Sequence, residues 1–185
     1  MSRIVSREQY FEAALGILAD TGFKGLNIGK LCDTLGVTSG SFYHHFTGWQ
    51  DFVDSFLHSW ESGQAAVLRE LNFGRGNWAT DIAALRQLTV GLNQAAEAAI
   101  RAWSANDETV REVQRRVDEL RRTTVHRAVR RVVSDEEAAE VLTTLGMAML
   151  VGYQQLSGDL RPPMARLLDE YVRLIDLHHR AELQA

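Results

Sequence analysis

Gly36 stands between two short helical patterns, and the chain around it has to turn a corner there. Ile28, Leu31, Cys32 and Leu35 recur at i, i+3, i+4 and i+7, the spacing of one apolar helix face. Asn27 precedes that face, where its side chain can accept from the first free N–H groups of a helix. Gly36 follows it and lets the backbone leave the helix with φ > 0. Val37 can pack into the corner. Thr38 stands at the next N-cap, and Phe42 and Phe46 anchor a second helix of about two turns. Helix, short glycine turn, helix is the helix-turn-helix pattern, whose second helix enters the DNA major groove.

The second helix carries suitable side chains. Ser39, Gly40 and Ser41 are small and open the helix, where unpaired N–H groups and the helix dipole favour a phosphate. Tyr43, His44 and His45 are long enough to reach phosphates or base edges. The run Gly36-Val37-Thr38-Ser39-Gly40-Ser41-Phe42-Tyr43-His44-His45-Phe46, followed by Asp51-Phe52, resembles the N-terminal signature of the TetR family of bacterial transcriptional regulators. The upstream residues Ala13, Ala14, Leu15, Leu18, Asp20, Thr21, Gly22, Phe23, Leu26, Asn27 and Ile28 resemble the first helix of that family and the turn after it. The likeness covers roughly residues 7 to 55. It implies a homodimeric repressor that releases DNA when a small molecule binds its C-terminal domain.

Two features depart from the pattern. Trp49 stands where family members usually carry a phosphate-contacting Lys. Residues 1–50 hold Arg3, Arg7, Lys24 and Lys30 against Glu8, Glu12, Asp20 and Asp33, a net charge of zero. DNA-binding modules are usually basic, because phosphate contacts dominate affinity. A neutral head must rely on helix N-termini, hydroxyls and imidazoles.

The 185 residues suffice for one sizeable core, or for a small domain and a larger one. Pro162 and Pro163 are the only prolines, and Ala, Leu, Arg and Glu abound, so an all-α fold is expected. The single Cys32 forms no internal disulfide, which suits a reducing cytoplasm, and its apolar neighbours make it a core residue. No run approaches ~18 apolar residues, so no membrane span is expected. The net charge of −4 argues against general coating of nucleic acid.

About nine helices are expected. Ser6, with Gln9 three residues on, forms a capping box for the first, which Gly22 ends. Phe11 and Phe23 read as core. A long helix begins at Gly48, with Phe52, Val53, Phe56, Leu57 and Trp60 inward, and ends in the loop 72–77. Helices follow over 78–90, 95–103 and 107–133. On the last of these, Glu112 with Arg116 and Asp118 with Arg122 form i, i+4 pairs. Ser134 caps the next helix, with Asp135, Glu136 and Glu137 in its first turn; Gly158 ends it. Pro162-Pro163 opens the final helix. The wide apolar faces of the last two helices suit a four-helix dimer interface, which the TetR resemblance also implies.

The sequence divides into a helix-turn-helix DNA-binding domain, 1–47, with three helices, and a ligand-binding and dimerisation bundle, 48–185. DNA contact falls to Asn27, Thr38, Ser39, Gly40, Ser41, Tyr43, His44 and His45. An effector pocket is expected among the middle helices, with Trp60, Gln64, Trp103, Met147 and Tyr153 as candidate lining. The six histidines form no zinc-ligand spacing with Cys32 or with one another. No nucleophile elbow, glycine-rich nucleotide loop or paired-carboxylate site occurs. The sequence therefore reads as a cytoplasmic, non-enzymatic regulator without a metal or cofactor. It would bind a palindromic double-stranded operator as a homodimer and be released by a small-molecule effector. The alternative is a helical ligand- or partner-binding protein with a degenerate DNA-binding head.

Overall fold

The computed structural model describes residues 5–71, 77–156 and 162–184. Among them are nine α-helices and no strand: α1 Arg7–Thr21, α2 Ile28–Leu35, α3 Ser39–His45, α4 Trp49–Glu70, α5 Trp78–Gly91, α6 Gln94–Ser104, α7 Glu108–Val129, α8 Glu136–Gln155 and α9 Met164–Gln184. A short 3-10 turn, Phe23–Gly25, lies between α1 and α2. The loop read at 72–77, apart from Asn77, and the break read at Gly158 lie outside the described residues.

Local signals set most helix ends. Gln9 N donates to Ser6 Oγ while Ser6 N donates to Gln9 Oε1 at 3.0 Å, completing the capping box of α1. Lys30 N donates to Asn27 Oδ1 at 2.9 Å. Gly36 leaves α2 at φ 66° and ψ 39°, a left-handed conformation that a side chain would strain. Thr38 holds the N-cap position of α3, but its side chain makes no capping bond. Asn77, Asn93 and Asp107 cap α5, α6 and α7.

Three details differ from the sequence reading. The cap of α8 is Asp135, whose Oδ1 accepts from Ala138 N at 2.7 Å. Ser134 is engaged by a remote partner, since its N–H and hydroxyl both donate to the Glu182 carboxylate. The helix expected to reach Val133 stops at Val129, and His179 Nδ1 lies 2.8 Å from the Val132 carbonyl just beyond. Finally, Arg116 grips Glu61 with two bonds, at 2.6 and 2.8 Å, and Arg122 reaches Glu119 and Glu140. Long arginines choose partners in space as readily as along their own helix.

The chain packs as two compact units. The first comprises residues 1–64 and 93–116, the second 65–92 and 117–185. In the first, α6 packs along α1, and α2 packs on α1 and α3. Its centre is aromatic: Tyr10, Phe42, Phe46, Phe52 and Phe56 are all essentially inaccessible. Phe11 adds a half-buried ring against Phe46, Phe52 and Phe56. In the second unit, α5 and α8 pack on α9. Its core falls into two clusters, one around Ile82, Val129, Leu142 and Ile175, the other around Leu150, Tyr153, Met164 and Leu168.

Candidate DNA-binding surface

The outward face of α3 is held by the aromatic core beneath it. Phe42 and Phe46 sit one turn apart with their rings 5.1 Å apart. Tyr10 meets both edge-on, at 5.8 and 5.5 Å. Such edge-to-face pairs add about 0.5–1.5 kcal/mol each beyond their buried area and fix orientation. With Phe42 and Phe46 turned inward, the helical period turns Ser39, Gly40, Tyr43 and His44 to solvent. Tyr43 is 57% exposed, unusual for a large aromatic ring. Its ring stands perpendicular to that of Phe42, 5.5 Å away.

The remaining sequence candidates have structural duties as well. Ser41 is half-buried, and its hydroxyl accepts from Tyr10 Oη at 3.1 Å. His45 is half-buried, with its ring 5.7 Å from that of Tyr10. Asn27 is exposed, but its side chain both caps α2 and donates to the Gly25 carbonyl. Thr38 is exposed at the start of α3. All eight residues lie in the first unit. Trp49 is half-buried, its indole tilted on Phe52 at 5.3 Å, so it serves packing at the start of α4.

Arg7 is a further organising residue that sequence reading passed over. Its guanidinium lies 4.6 Å from the centre of the Phe46 ring. One nitrogen donates to the His45 carbonyl at 2.8 Å and another to Ser55 Oγ at 2.6 Å. A cation at the carbonyl end of α3 complements the helix dipole, and the same side chain ties α1 to α3 and α4. The only local signal was an arginine at the start of α1; its partners lie 38 and 48 residues away. Asp51 closes the corner between α3 and α4 by accepting from Thr47 N at 2.7 Å and from Thr47 Oγ1. Those bonds hold its carboxyl below the usual range.

The five candidate effector residues do not share one site. Trp60 is buried in the first unit. Gln64 donates to Glu97 at 3.2 Å. Trp103 stacks on Phe23, nearly parallel at 6.4 Å. Tyr153 belongs to the second core cluster of the other unit. Only Met147 lines the cavity in that unit, a space of about 70 Å³ flanked by both core clusters through Ile82, Val129, Leu150 and Leu168. Gly146 and Tyr171 face each other on its wall. A Cβ on Gly146 would come within 2.7 Å of Tyr171 Oη, which donates to the Leu142 carbonyl at 2.6 Å. Burial pushes the Tyr171 phenol well above its ordinary pKa, so it stays a neutral donor.

Among the described residues no cluster of His, Cys, Asp or Glu could hold a metal ion, and no helix is long and apolar enough to cross a membrane.

Residues 11–55 match the family model described as bacterial regulatory proteins, tetR family. The HTH-type transcriptional repressor KstR2 of Mycobacterium tuberculosis is 29% identical over 65 residues. That match covers 35% of this chain and 32% of the repressor, so about a third of the curated relative's length is spanned. A transcriptional regulator from Rhodococcus sp. Rha1 superposes with a TM-score of 0.74 at 22% identity, over 92% of this chain and 96% of that one. FadR of Bacillus subtilis, solved with stearoyl-CoA, gives 0.68 at 14% identity, over 92% and 97%. At these identities the solved structures speak for the fold.

Proposed function

We propose, on the premise that the chain belongs to the TetR family of bacterial transcriptional regulators, that it is a ligand-responsive repressor acting as a homodimer on a palindromic operator. The observation that carries this reading is the outward face of α3, with Ser39, Gly40, Tyr43 and His44 exposed over a core that fixes the helix. Tyr43 holds a phosphate, Ser39 and the start of α3 set the helix against the backbone, and His44 reads a base edge or a phosphate. Ser41, His45, Thr38 and Asn27 support that geometry from the flanks. The DNA-binding role lies in residues 1–47, and ligand binding and dimerisation in 48–185.

The dimer uses α8 and α9. Val141, Leu145, Ala148 and Gly152 recur on one face of α8 and are exposed, as is Leu177 on α9. An apolar stripe of small and medium side chains left in water suits close helix packing against a second copy. Two recognition helices then sit about one DNA turn apart, ~34–36 Å. The effector binds the cavity of the second unit and favours a state with another spacing, through α4, which continues from Trp49 to Glu70. Release requires the ligand to prefer that state, and each tenfold preference shifts the equilibrium by ~1.4 kcal/mol.

Fluorescence anisotropy against the upstream intergenic DNA, at two salt concentrations, tests the reading. Wild type should bind selectively with two protomers per site. Tyr43→Ala should weaken operator binding by roughly tenfold or more and leave the dimer folded. Unchanged affinity in that variant would remove Tyr43 from the site. The neutral head also favours a second reading, a ligand- or partner-binding protein whose head has lost DNA affinity. Failure of a genome-wide fragment selection would support it.

A further inference from the structure

We infer that the cavity of the second unit takes a small apolar acid, whose carboxylate is met by Arg121. The inference rests on the cavity being the effector site, as proposed above, and adds the chemical class of the ligand. The walls are mainly aliphatic, formed by Leu85, Leu88, Val125, Met149 and Leu168 together with the ring of Tyr171. Two charged side chains reach the lining, and both are arginines, Arg86 and Arg121. No carboxylate occurs among the described lining residues.

The two arginines differ in setting. Arg86 lies toward the surface, its side chain 32% exposed, and Nε donates to Asp169 at 2.7 Å across α5 and α9. Arg121 is the buried one, with its side chain 5% exposed. Asp118, which is not among the lining residues, comes no closer than 3.9 Å to Arg121 Nη1, longer than a hydrogen bond. A guanidinium keeps its charge in such surroundings and presents a planar fork that matches a carboxylate. A buried cation beside aliphatic walls sets a field that favours one negative charge on an otherwise apolar molecule. A cationic ligand would place like charges together at low dielectric. A neutral ligand would gain the walls but not the field. Ile82, Arg86 and Val172 also line a neighbouring surface cleft that includes Asp169. The Arg86–Asp169 bridge thus stands where an anion would approach from solvent.

Thermal melting of the full-length chain tests the class directly. The probes are butyrate, hexanoate and octanoate, each beside its amide and its alcohol. At a hundredfold excess over the dissociation constant, the acid that fits should raise the melting temperature by about 5–10 °C. Its amide and alcohol should give less than half of that. Arg121→Met, which keeps the bulk and removes the charge, should weaken the acid by roughly tenfold to a hundredfold. Arg121→Lys should retain part of the response if the variant without charge folds poorly.

Equal shifts from acid, amide and alcohol would overturn the acid class and leave the cavity as an effector site. An undiminished acid response in Arg121→Met, with loss in Arg86→Met, would overturn the role given to Arg121. No shift from any probe would overturn the proposal. Operator binding, measured on the same samples, separates that failure from failure of the regulator reading.

Discussion

In the first unit the core is built of rings. Tyr10, Phe42, Phe46 and Phe52 lock edge to face, and Phe52 stacks on Phe56. In the second the core is aliphatic and divided, with a cavity bordered by both of its clusters. Rings have few rotamers and directional contacts, so they hold one arrangement. Leu, Met and Val side chains fill irregular space and repack at modest cost. The unit that must present a fixed helix face has the rigid filling. The unit proposed to accommodate a ligand has the yielding one. Packing chemistry thus divides the labour before any functional residue is considered.

The largest test of that contrast is Phe42→Ala. Phe42 is fully buried and touches Tyr10, Phe46 and Phe52. A loss of about 3–5 kcal/mol is expected, since aromatic neighbours collapse poorly into the space left. Chemical denaturation should show it, together with loss of DNA binding. A cost near 1 kcal/mol would mean that the aromatic core is less rigid than its geometry implies. Gly146→Ala probes the other unit. Its new Cβ forces Tyr171 off the Leu142 carbonyl, at about 1–3 kcal/mol. Ligand response should fall while operator affinity holds, and equal losses in both would erase the division of labour.

Tyr10→Phe removes one hydroxyl and frees Ser41 Oγ without disturbing the rings. About 1 kcal/mol of stability should go, with a small change in operator affinity. The smallest effect concerns acid. The Glu182 carboxylate accepts from Ser134 N, Ser134 Oγ and Asp135 N, and these bonds draw its pKa from 4.5 down to about 2. A depressed folded pKa contributes stability that is present above pH 4.5 and fades as pH falls toward 2. Glu182→Gln should flatten that part of the stability profile, and identical slopes would discount the clasp.

Much of this molecule is legible along the chain because its ends are written locally. Ser6 with Gln9, Asn27, Gly36 and Asp107 act within a few residues of themselves, and periodicity places the helices between them. The α3 face follows for the same reason, since Phe42 and Phe46 fix which residues point outward. The long-range partners were not legible. Nothing near Arg7 indicates His45 or Ser55, and nothing near Ser134 indicates Glu182. The effector residues were hardest. Trp60 and Trp103 look equally suited to a pocket and to a core, and the cavity owes its shape to a missing side chain, Gly146, opposite Tyr171.

The first unit is discontinuous in sequence, because α6 packs along α1 and Trp103 stacks on Phe23. On the ribosome, therefore, the reading head is not complete when its last recognition residue emerges. It must wait for residues 65–116, roughly 3–10 s at about 5–20 residues per second. During that interval the surface of α1 destined for α6 is bare. A gene fragment ending after α3 would encode the DNA-facing residues without the helix that covers their scaffold. Exchange of heads between such proteins should thus succeed at the level of whole chains more readily than at residue 47.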